Sequence, residues 1–233
     1  MLDPKEVAAR EAVKAVKDGM TIGIGTGSTA AFAIRAIGER VKLEGLHVRA
    51  VATSSRSREM AAEWGIPLID LCEVEALDLT IDGADQVGPN LSLIKGGGGA
   101  LLREKIVAQA SRELIIICDE TKRQMPFGQH PLPVAVVPFG HTLTRRRLER
   151  FCQKVLLRPK APDSPEPYLT DDGLYIYDMH METIADPPQL EQRLKQIVGV
   201  VEVGLFNGLA SRVLFGFHDG HVEELLPEHS ARL

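Results

Sequence analysis

The stretch Thr21–Thr29 reads TIGIGTGST and combines the signals of a strand, a turn and a helix start. Its first four residues are mostly apolar or β-branched, which predicts a short buried strand. The small residues from Gly25 to Gly27 predict a tight turn, and the apolar pattern that follows predicts a helix from about Thr29 to Arg40. A strand followed by a small-residue turn and a helix is the repeating unit of parallel sheets.

The same unit recurs on both sides of this stretch. A helix is predicted to begin at Asp3-Pro4 and to stop at Gly19, ahead of the first strand. Later strands are predicted at His47 to Ala52, Pro67 to Leu71, Asp78 to Ile81 and Leu114 to Cys118, and helices through Glu59 to Trp64 and from Ala100 to Ala110. The alternation predicts an α/β fold in which a Rossmann-like parallel sheet is covered by helices on both faces.

The order of elements changes after about residue 131. The predicted elements there are a strand at Val134 to Val137, a helix at Thr142 to Gln153, a hairpin around Asp171-Asp172-Gly173 with Leu174 to Asp178 as its second strand, a helix at Pro188 to Ile197 and a strand at Val200 to Phe206. This β-α-β-β-α-β-like order predicts a small α+β lobe of ferredoxin-like type. The tail from Arg212 to Phe217 is a further strand, which could return to the first sheet.

The composition of the 233 residues is that of a globular protein, with 44% hydrophobic and 25% charged residues and a net charge of -5. Without a basic surplus, nucleic acid is not an expected partner, and Arg145-Arg146-Arg147 is interpreted as a solvated helix face. No apolar run approaches the roughly 18 residues of a membrane span. The three separated cysteines fit no metal-ligand spacing, so we expect a reduced cytoplasmic protein without a metal site.

Polar residues are concentrated directly after the predicted strands of the first lobe, where open α/β sheets bind ligands. Gly25 to Thr29 suits a phosphate or another oxyanion at a helix N-terminus, although a simple capped turn explains the same residues. A dinucleotide site would need an acid after the next strand, but Thr53-Ser54-Ser55 stands there. A P-loop would need a lysine before the helix, and it is also missing.

Three further segments supply charged groups. Asp82-Gly83-Ala84-Asp85 can either hold sugar hydroxyls or cap a turn. Four consecutive glycines follow Lys95, which favours close approach of the backbone to a ligand, and Glu104 lies in the first turns of the next helix. Lys122 follows another buried strand and is a second cation beside Lys95. Two lysines, a hydroxyl-rich loop and several acids suit a small ligand with a phosphate end and a polyol end.

Taken together, these segments resemble the ribose-5-phosphate isomerases of type A. The resemblance rests on the stretches GTGSTA (25–30), IDGAD (81–85), IKGGG (94–98), LREKI (102–106), DETK (119–122) and GVVEVGLF (199–206). Two departures are a fourth glycine where Ala is usual, and Gln86 where an acid commonly follows DGAD. The later stretch Asn207–Ser211 also differs from the residues that are usual in this family.

The resemblance implies an enzyme that interconverts D-ribose 5-phosphate and D-ribulose 5-phosphate without a metal or organic cofactor. It implies Glu104 as the base. The other expected catalytic residues follow from the enediolate intermediate: Lys95 would stabilise its oxygen, and Asp82 would orient hydroxyls and assist ring opening. The implied substrate-binding residues are Thr26, Gly27, Ser28, Thr29, Asp82, Gly83, Ala84, Asp85, Lys95, Gly96, Gly97, Gly98 and Lys122. It also implies a homodimer or homotetramer, with a catalytic domain of residues 1–131 and 205–233 and a small α+β domain of residues 132–204 that is expected to serve oligomerisation.

Two other functions are alternatives, because they occur on related α/β sheets. One is an acyl or CoA transferase, in which a glutamate acts as the nucleophile. The other is a sugar-phosphate sensor without catalysis, which would normally accompany a DNA-binding helix-turn-helix. The sequence also leaves open which segment binds the phosphate, because the helix N-terminus after Gly25, Lys95 and Lys122 all suit an anion.

Overall fold

The structure is a computed structural model that describes residues 1–228 of the chain. Its helices are α1 (Pro4–Val13), α2 (Ser28–Glu44), α3 (Ser55–Glu63), α4 (Leu101–Gln109), α5 (His141–Leu148) and α6 (Pro187–Lys195). Its strands are β1 (Thr21–Ile24), β2 (Arg49–Ala52), β3 (Leu79–Gly83), β4 (Gln86–Val87), β5 (Leu93–Ile94), β6 (Leu114–Asp119), β7 (Leu132–Val136), β8 (Lys154–Leu157), β9 (Tyr175–His180), β10 (Val200–Val203), β11 (Leu205–Phe206), β12 (Arg212–Gly216) and β13 (Val222–Leu225).

The chain forms two compact units. Among the described residues, the first unit comprises 1–84, 103–122 and 208–228, and the second comprises 85–102 and 123–207. Residues 85–102, 123–131 and 205–207 therefore pack with the second unit, whereas the predicted boundaries place them in the catalytic domain. The last five positions of that predicted domain, 229–233, lie outside the described residues. The division into a catalytic and an oligomerisation domain stays a prediction.

The first unit is built on a six-stranded sheet in the order β13-β12-β6-β3-β1-β2. All neighbouring strands are parallel except β12 and β13, which are antiparallel. The inner strands β1 and β6 are buried along their whole length, as expected for a parallel sheet covered on both faces. The prediction of a parallel sheet is confirmed, and β12 shows that the tail returns to it.

Helices cover both faces of this sheet. Ile22 and Ile24 of β1 belong to the core cluster that also contains apolar residues of α1, α2 and α3. Gly23 lies between them and points to the opposite face, where a Cβ would come within 2.6 Å of the Val107 side chain in α4. The sheet therefore has α1, α2 and α3 on one face and α4 on the other.

The second unit contains a four-stranded antiparallel sheet in the order β10-β7-β9-β8. Along the chain its elements run β7-α5-β8-β9-α6-β10, which is the predicted β-α-β-β-α-β order of a ferredoxin-like lobe. A core including Leu132, Val134, Tyr177 and Met179 is buried in this unit. Three short strands in the order β11-β5-β4 form a separate small sheet.

Three predicted elements are wrong. Pro67 to Leu71 forms only one bridge, between Leu68 and Ala50, because Asp70 caps a 3-10 turn at Leu71–Glu73 instead. The turn at Asp171–Gly173 does not join two paired strands, since both edges of β9 are already occupied by β7 and β8. The strand predicted from Val200 to Phe206 divides at Gly204 into β10 and β11, which belong to different sheets.

None of the helices within residues 1–228 is long and apolar enough to cross a membrane.

Candidate active site

Three of the polar segments lie at the carboxyl edge of the sheet in the first unit. Strands β1, β3 and β6 are adjacent and parallel, with Ile24 opposite Ile81 and Gly83 opposite Ile117. From β1 the chain passes to β2 on one side, and β3 then lies on the other side of β1. Ligand sites of open parallel sheets form at such a reversal of strand order.

Asp82, near the end of β3, lies against the loop that follows β1. Its side chain is only 1% exposed, and its Oδ1 accepts hydrogen bonds from the N–H groups of Thr26 (3.1 Å) and Gly83 (2.8 Å). A Cβ on Gly25 would lie 1.9 Å from this same Oδ1. Glycine at position 25 is therefore required for the carboxylate to approach the loop.

The hydroxyl of Thr26 forms hydrogen bonds within the first unit. Its Oγ1 lies 2.8 Å from Oγ1 of Thr53 and 2.9 Å from Oγ of Ser54, and the Ser57 hydroxyl donates to the carbonyl of Gly25 (2.6 Å). These hydrogen bonds with Thr53, Ser54 and Ser57 hold the turn after β1 in place. The predicted contact of Thr26 with substrate stays a prediction, whereas the bracing by the polar turn after β2 was not predicted from the sequence.

Helix α2 begins beside Asp82 with an N-terminus that no side chain caps. Gly27 is the N-cap, with a φ of 107°, and the first intrahelical bond is donated by the N–H of Ala31. The amides before it are the donors that bind anions at helix N-termini. The Lys5 ammonium group of α1 donates to the Ser28 hydroxyl (3.1 Å), which places a positive charge at the same N-terminus. Lys5 was missed because its sequence context indicates only a helix start.

Glu104 lies at the same edge of the sheet on the face covered by α4. The end of α4 is bonded to the start of β3, because the Leu77 N–H donates to the Ala110 carbonyl (2.8 Å). Val107 packs beside Gly23 in the middle of β1. Glu104 is one helical turn, about 5 Å, further toward the carboxyl ends of the strands. Its side chain is buried, with 3% exposure.

Lys122 ends the 3-10 turn that follows β6. The carboxylate of Asp119 fixes this turn by accepting hydrogen bonds from the N–H group (3.1 Å) and the hydroxyl of Thr121. The side chain of Lys122 is half-buried. Of the predicted residues, the first unit thus contains Thr26, Gly27, Ser28, Thr29, Asp82, Gly83, Ala84, Glu104 and Lys122.

The second unit contains the other predicted residues, Asp85 and the loop that begins at Lys95. Asp85 Oδ2 accepts the N–H of Gly97 (2.7 Å), and its own N–H donates to the Ile94 carbonyl (2.8 Å). Lys95 is 3% exposed, and its ammonium lies 5.3 Å from the ring centroid of Phe206, a distance at which a cation is attracted to an aromatic face. The structure therefore brings Asp85 together with the glycine loop.

Two side chains not predicted from the sequence hold this glycine loop. Arg158 Nη1 donates to the carbonyls of Gly96 (2.8 Å) and Gly97 (3.2 Å). The hydroxyl of Tyr168 donates to the carbonyl of Gly98 (3.4 Å), and burial raises the pKa of this phenol, which keeps it protonated. Both residues are distant from the loop in sequence, and no motif marks them.

The unusual Gln86 has a direct structural explanation. Its Nε2 donates to the carbonyls of Gln124 (2.9 Å) and Pro126 (3.2 Å). Its Oε1 accepts from the N–H groups of Gly128 (3.1 Å) and His130 (3.2 Å). A carboxylate in this arrangement could accept the two amide hydrogens but could not donate to the two carbonyls, so the amide suits this loop.

The family model for ribose 5-phosphate isomerase A (phosphoriboisomerase A) matches residues 49–220 of this chain. The chain belongs to the ribose 5-phosphate isomerase A family. It is 51% identical to ribose-5-phosphate isomerase A of Thermoplasma acidophilum over 91% of this chain and 88% of the relative. It is 48% identical to the Bartonella bacilliformis enzyme over 95% of this chain and 96% of the relative.

Solved structures of ribose 5-phosphate isomerases share the fold along almost the whole chain. The Methanocaldococcus jannaschii structure aligns with a TM-score of 0.90 at 40% identity, over 95% of this chain and 97% of that one. A D-ribose-5-phosphate isomerase in complex with phospho-erythronic acid aligns with a TM-score of 0.92 at 37% identity, over 97% and 100%. These comparisons confirm the α/β fold and the family predicted from the sequence motifs.

Gly25→Ala is expected to lower the free energy of unfolding by about 1–3 kcal/mol, because the new methyl group would overlap the Asp82 carboxylate. Urea unfolding measures the loss. The control is Gly83→Ala, since a Cβ there meets nothing nearer than 3.8 Å. Equal stability of the two variants would show that the contact of Gly25 with Asp82 is not tight.

Proposed function

We propose that this chain interconverts D-ribose 5-phosphate and D-ribulose 5-phosphate, a step of the non-oxidative pentose phosphate pathway. The observation that carries the proposal is the buried carboxylate of Glu104 at the sheet edge that also holds Asp82 and the uncapped start of α2. Membership of the ribose 5-phosphate isomerase A family supports the same reaction. The relative solved with phospho-erythronic acid shows that a family member binds a phosphorylated sugar acid.

Glu104 is the base in this proposal. On the open-chain aldose it removes the proton from C2, which gives a cis-enediolate, and it then returns a proton to C1, while the hydroxyl proton of O2 passes to O1. One carboxylate that reaches both carbons is sufficient, because these carbons are adjacent. A positioned general base contributes roughly 10²–10⁴-fold to the rate, or about 3–5 kcal/mol of the barrier.

The negative charge of the enediolate needs a cation or N–H donors. Lys95 and amides of the loop that follows it serve this purpose in the proposal. Asp82 and Asp85 orient the sugar hydroxyls and assist ring opening. Along the chain, Asp85 follows Asp82 by three residues and Glu104 follows Gly98 by six.

The phosphate end of the substrate is proposed to bind at the N-terminus of α2. The free helix amides, the hydroxyls of Ser28 and Thr29, and the nearby Lys5 ammonium group together form a positive, hydrogen-bond-rich surface in the first unit. Lys122 is proposed as a further contact with the substrate. A homodimer or homotetramer and a cytoplasmic location stay predictions from the sequence.

Glu104→Gln is expected to fold normally and to lose at least about two orders of magnitude in kcat, because the amide cannot accept the C2 proton. A coupled assay with ribose 5-phosphate, run beside arabinose 5-phosphate, measures turnover and specificity. Glu63→Gln, on the exposed end of α3, is the matched control. Near-wild-type turnover of Glu104→Gln would remove Glu104 as the base, and a covalent glutamyl adduct trapped by hydroxylamine would favour an acyl or CoA transferase.

Lys5→Met is expected to raise KM for ribose 5-phosphate about tenfold, equivalent to about 1.4 kcal/mol, with kcat nearly unchanged. The reason is that a phosphate contact, remote from C1 and C2, stabilises substrate and transition state alike. Steady-state kinetics measure both constants. Lys14→Met removes a more exposed lysine next to the other end of α1 and serves as the control. An unchanged KM for Lys5→Met would place the phosphate elsewhere.

Turnover is expected to survive exhaustive dialysis against EDTA, because the proposed proton transfer uses a carboxylate and the proposed oxyanion contacts are an ammonium and backbone amides. The measurement is the coupled assay before and after chelation. The control is enzyme dialysed against the same buffer without EDTA. Loss of activity that added divalent metal restores would contradict the mechanism.

A further inference from the structure

Arg158 follows β8 and is held in the second unit by a two-point contact with Asp178 of β9. Its Nε lies 2.9 Å and its Nη2 lies 2.5 Å from the two carboxylate oxygens. The Arg158 side chain is 15% exposed and that of Asp178 is 20% exposed, so this pair is largely shielded from water. A two-point contact of this kind fixes the plane of the guanidinium as well as its position.

The remaining nitrogen of Arg158 holds the glycine loop. Nη1 donates to the carbonyl oxygens of Gly96 (2.8 Å) and Gly97 (3.2 Å), while the other two nitrogens are occupied by Asp178. The planar guanidinium has enough fixed donors for all four contacts. A lysine ammonium has three donors and no fixed plane, so it could not reproduce the arrangement.

These contacts determine where the amides of the loop point. The one cis peptide bond within residues 1–228 is Met125-Pro126, so the peptide bonds of the glycine loop are trans. In a trans peptide the C=O and N–H groups point in opposite directions. Because Arg158 holds the carbonyls of Gly96 and Gly97, the N–H groups of Gly97 and Gly98 face away from it. The hydrogen bond from the Gly97 N–H to Asp85 (2.7 Å) agrees with this direction.

Consecutive glycines would otherwise sample many conformations, so ordering each of them costs backbone entropy. Gly96 and Gly99 have φ values of 103° and 84°, which other residues rarely adopt. Tyr168 fixes the following peptide through its hydrogen bond to the Gly98 carbonyl (3.4 Å). Arg158 and Tyr168 therefore order the loop from its carbonyl side. On the opposite side the Gly97 N–H is bonded to Asp85, which leaves the Gly98 N–H for a ligand.

We propose that Arg158 is a positioning residue for the isomerase reaction, which directs the N–H group of Gly98 toward the substrate oxygen that becomes negative in the enediolate. This inference rests on the proposed function. Donors that are already oriented stabilise a charge that develops in the transition state more than they stabilise the neutral substrate. Loss of Arg158 should therefore affect kcat more than KM.

The test compares Arg158→Met and Arg158→Lys with Lys195→Met. Lys195 is a matched control, because it also joins a carboxylate, Glu202 (2.8 Å), to a backbone carbonyl, Val201 (2.9 Å), in the second unit. The measurements are kcat and KM, the melting temperature, and calorimetric binding of phospho-erythronic acid and of inorganic phosphate. The planar carboxylate of phospho-erythronic acid resembles the enediolate, whereas inorganic phosphate probes only the phosphate end.

We expect Arg158→Met to lower kcat about 10–100-fold with KM changed less than about threefold. Its affinity for phospho-erythronic acid should fall at least about tenfold while its affinity for phosphate is kept. Arg158→Lys should recover only part of the loss, and Lys195→Met should leave both affinities unchanged. If Arg158→Met does not fold, Asp178→Asn, which keeps the guanidinium but loosens its anchor, should show the same pattern with a smaller amplitude.

An unchanged kcat and unchanged analogue affinity in a folded Arg158 or Asp178 variant would overturn the inference. Equal losses of analogue and phosphate affinity, in proportion to the unfolded fraction, would also overturn it, because they would show a purely structural role. A wild-type chain without turnover of ribose 5-phosphate would instead contradict the proposed function. The two failures are therefore distinguishable.

Discussion

The carboxylate of Asp82 joins the ends of two neighbouring parallel strands. Its Oδ1 accepts an N–H from the turn after β1 and another from the end of β3, so one buried side chain fixes the two segments that lead into the candidate site. The turn can lie this close only because position 25 is glycine. The start of α2 and its uncapped amides follow directly from this turn, and their direction therefore depends on the same contact.

In the second unit, the glycine loop is also fixed by hydrogen bonds, but from side chains outside the loop. Its glycine loop has no side chains with which to fix itself, so other residues fix it through its backbone. Asp85 accepts an amide hydrogen, whereas Arg158 and Tyr168 donate to carbonyls. In each unit, charged side chains are buried where they orient backbone groups or lie at the predicted site. Burying a charge is costly unless it is paired or hydrogen-bonded, so the burial of Asp82, Glu104 and Lys95 is consistent with a functional requirement.

Local patterns predicted the elements well where local physics decides them. The apolar run of β6 and the small-residue turn before α2 were both recognised, because burial and turn geometry restrict residue choice at each position. Pro67 to Leu71 was predicted to be a strand, but the capping interactions of Asp70 favoured a turn. The residues before Asp171 could not pair with β9, because the earlier strands β7 and β8 occupy both of its edges. Competition between strands for the edges of β9 leaves no signal in the local sequence.

The sequence by itself determined the parallel sheet, the later α+β lobe, the family and the segments proposed to carry the chemistry, since each depends on residue type and short-range spacing. Only the tertiary structure decided which groups support those segments. The Lys5 ammonium group lies beside the Ser28 hydroxyl, and Arg158 holds Gly96, although 23 and 62 positions separate the partners along the chain. Such contacts depend on how strands and helices pack, and a lysine or arginine that makes them has the same local sequence pattern as one that faces solvent.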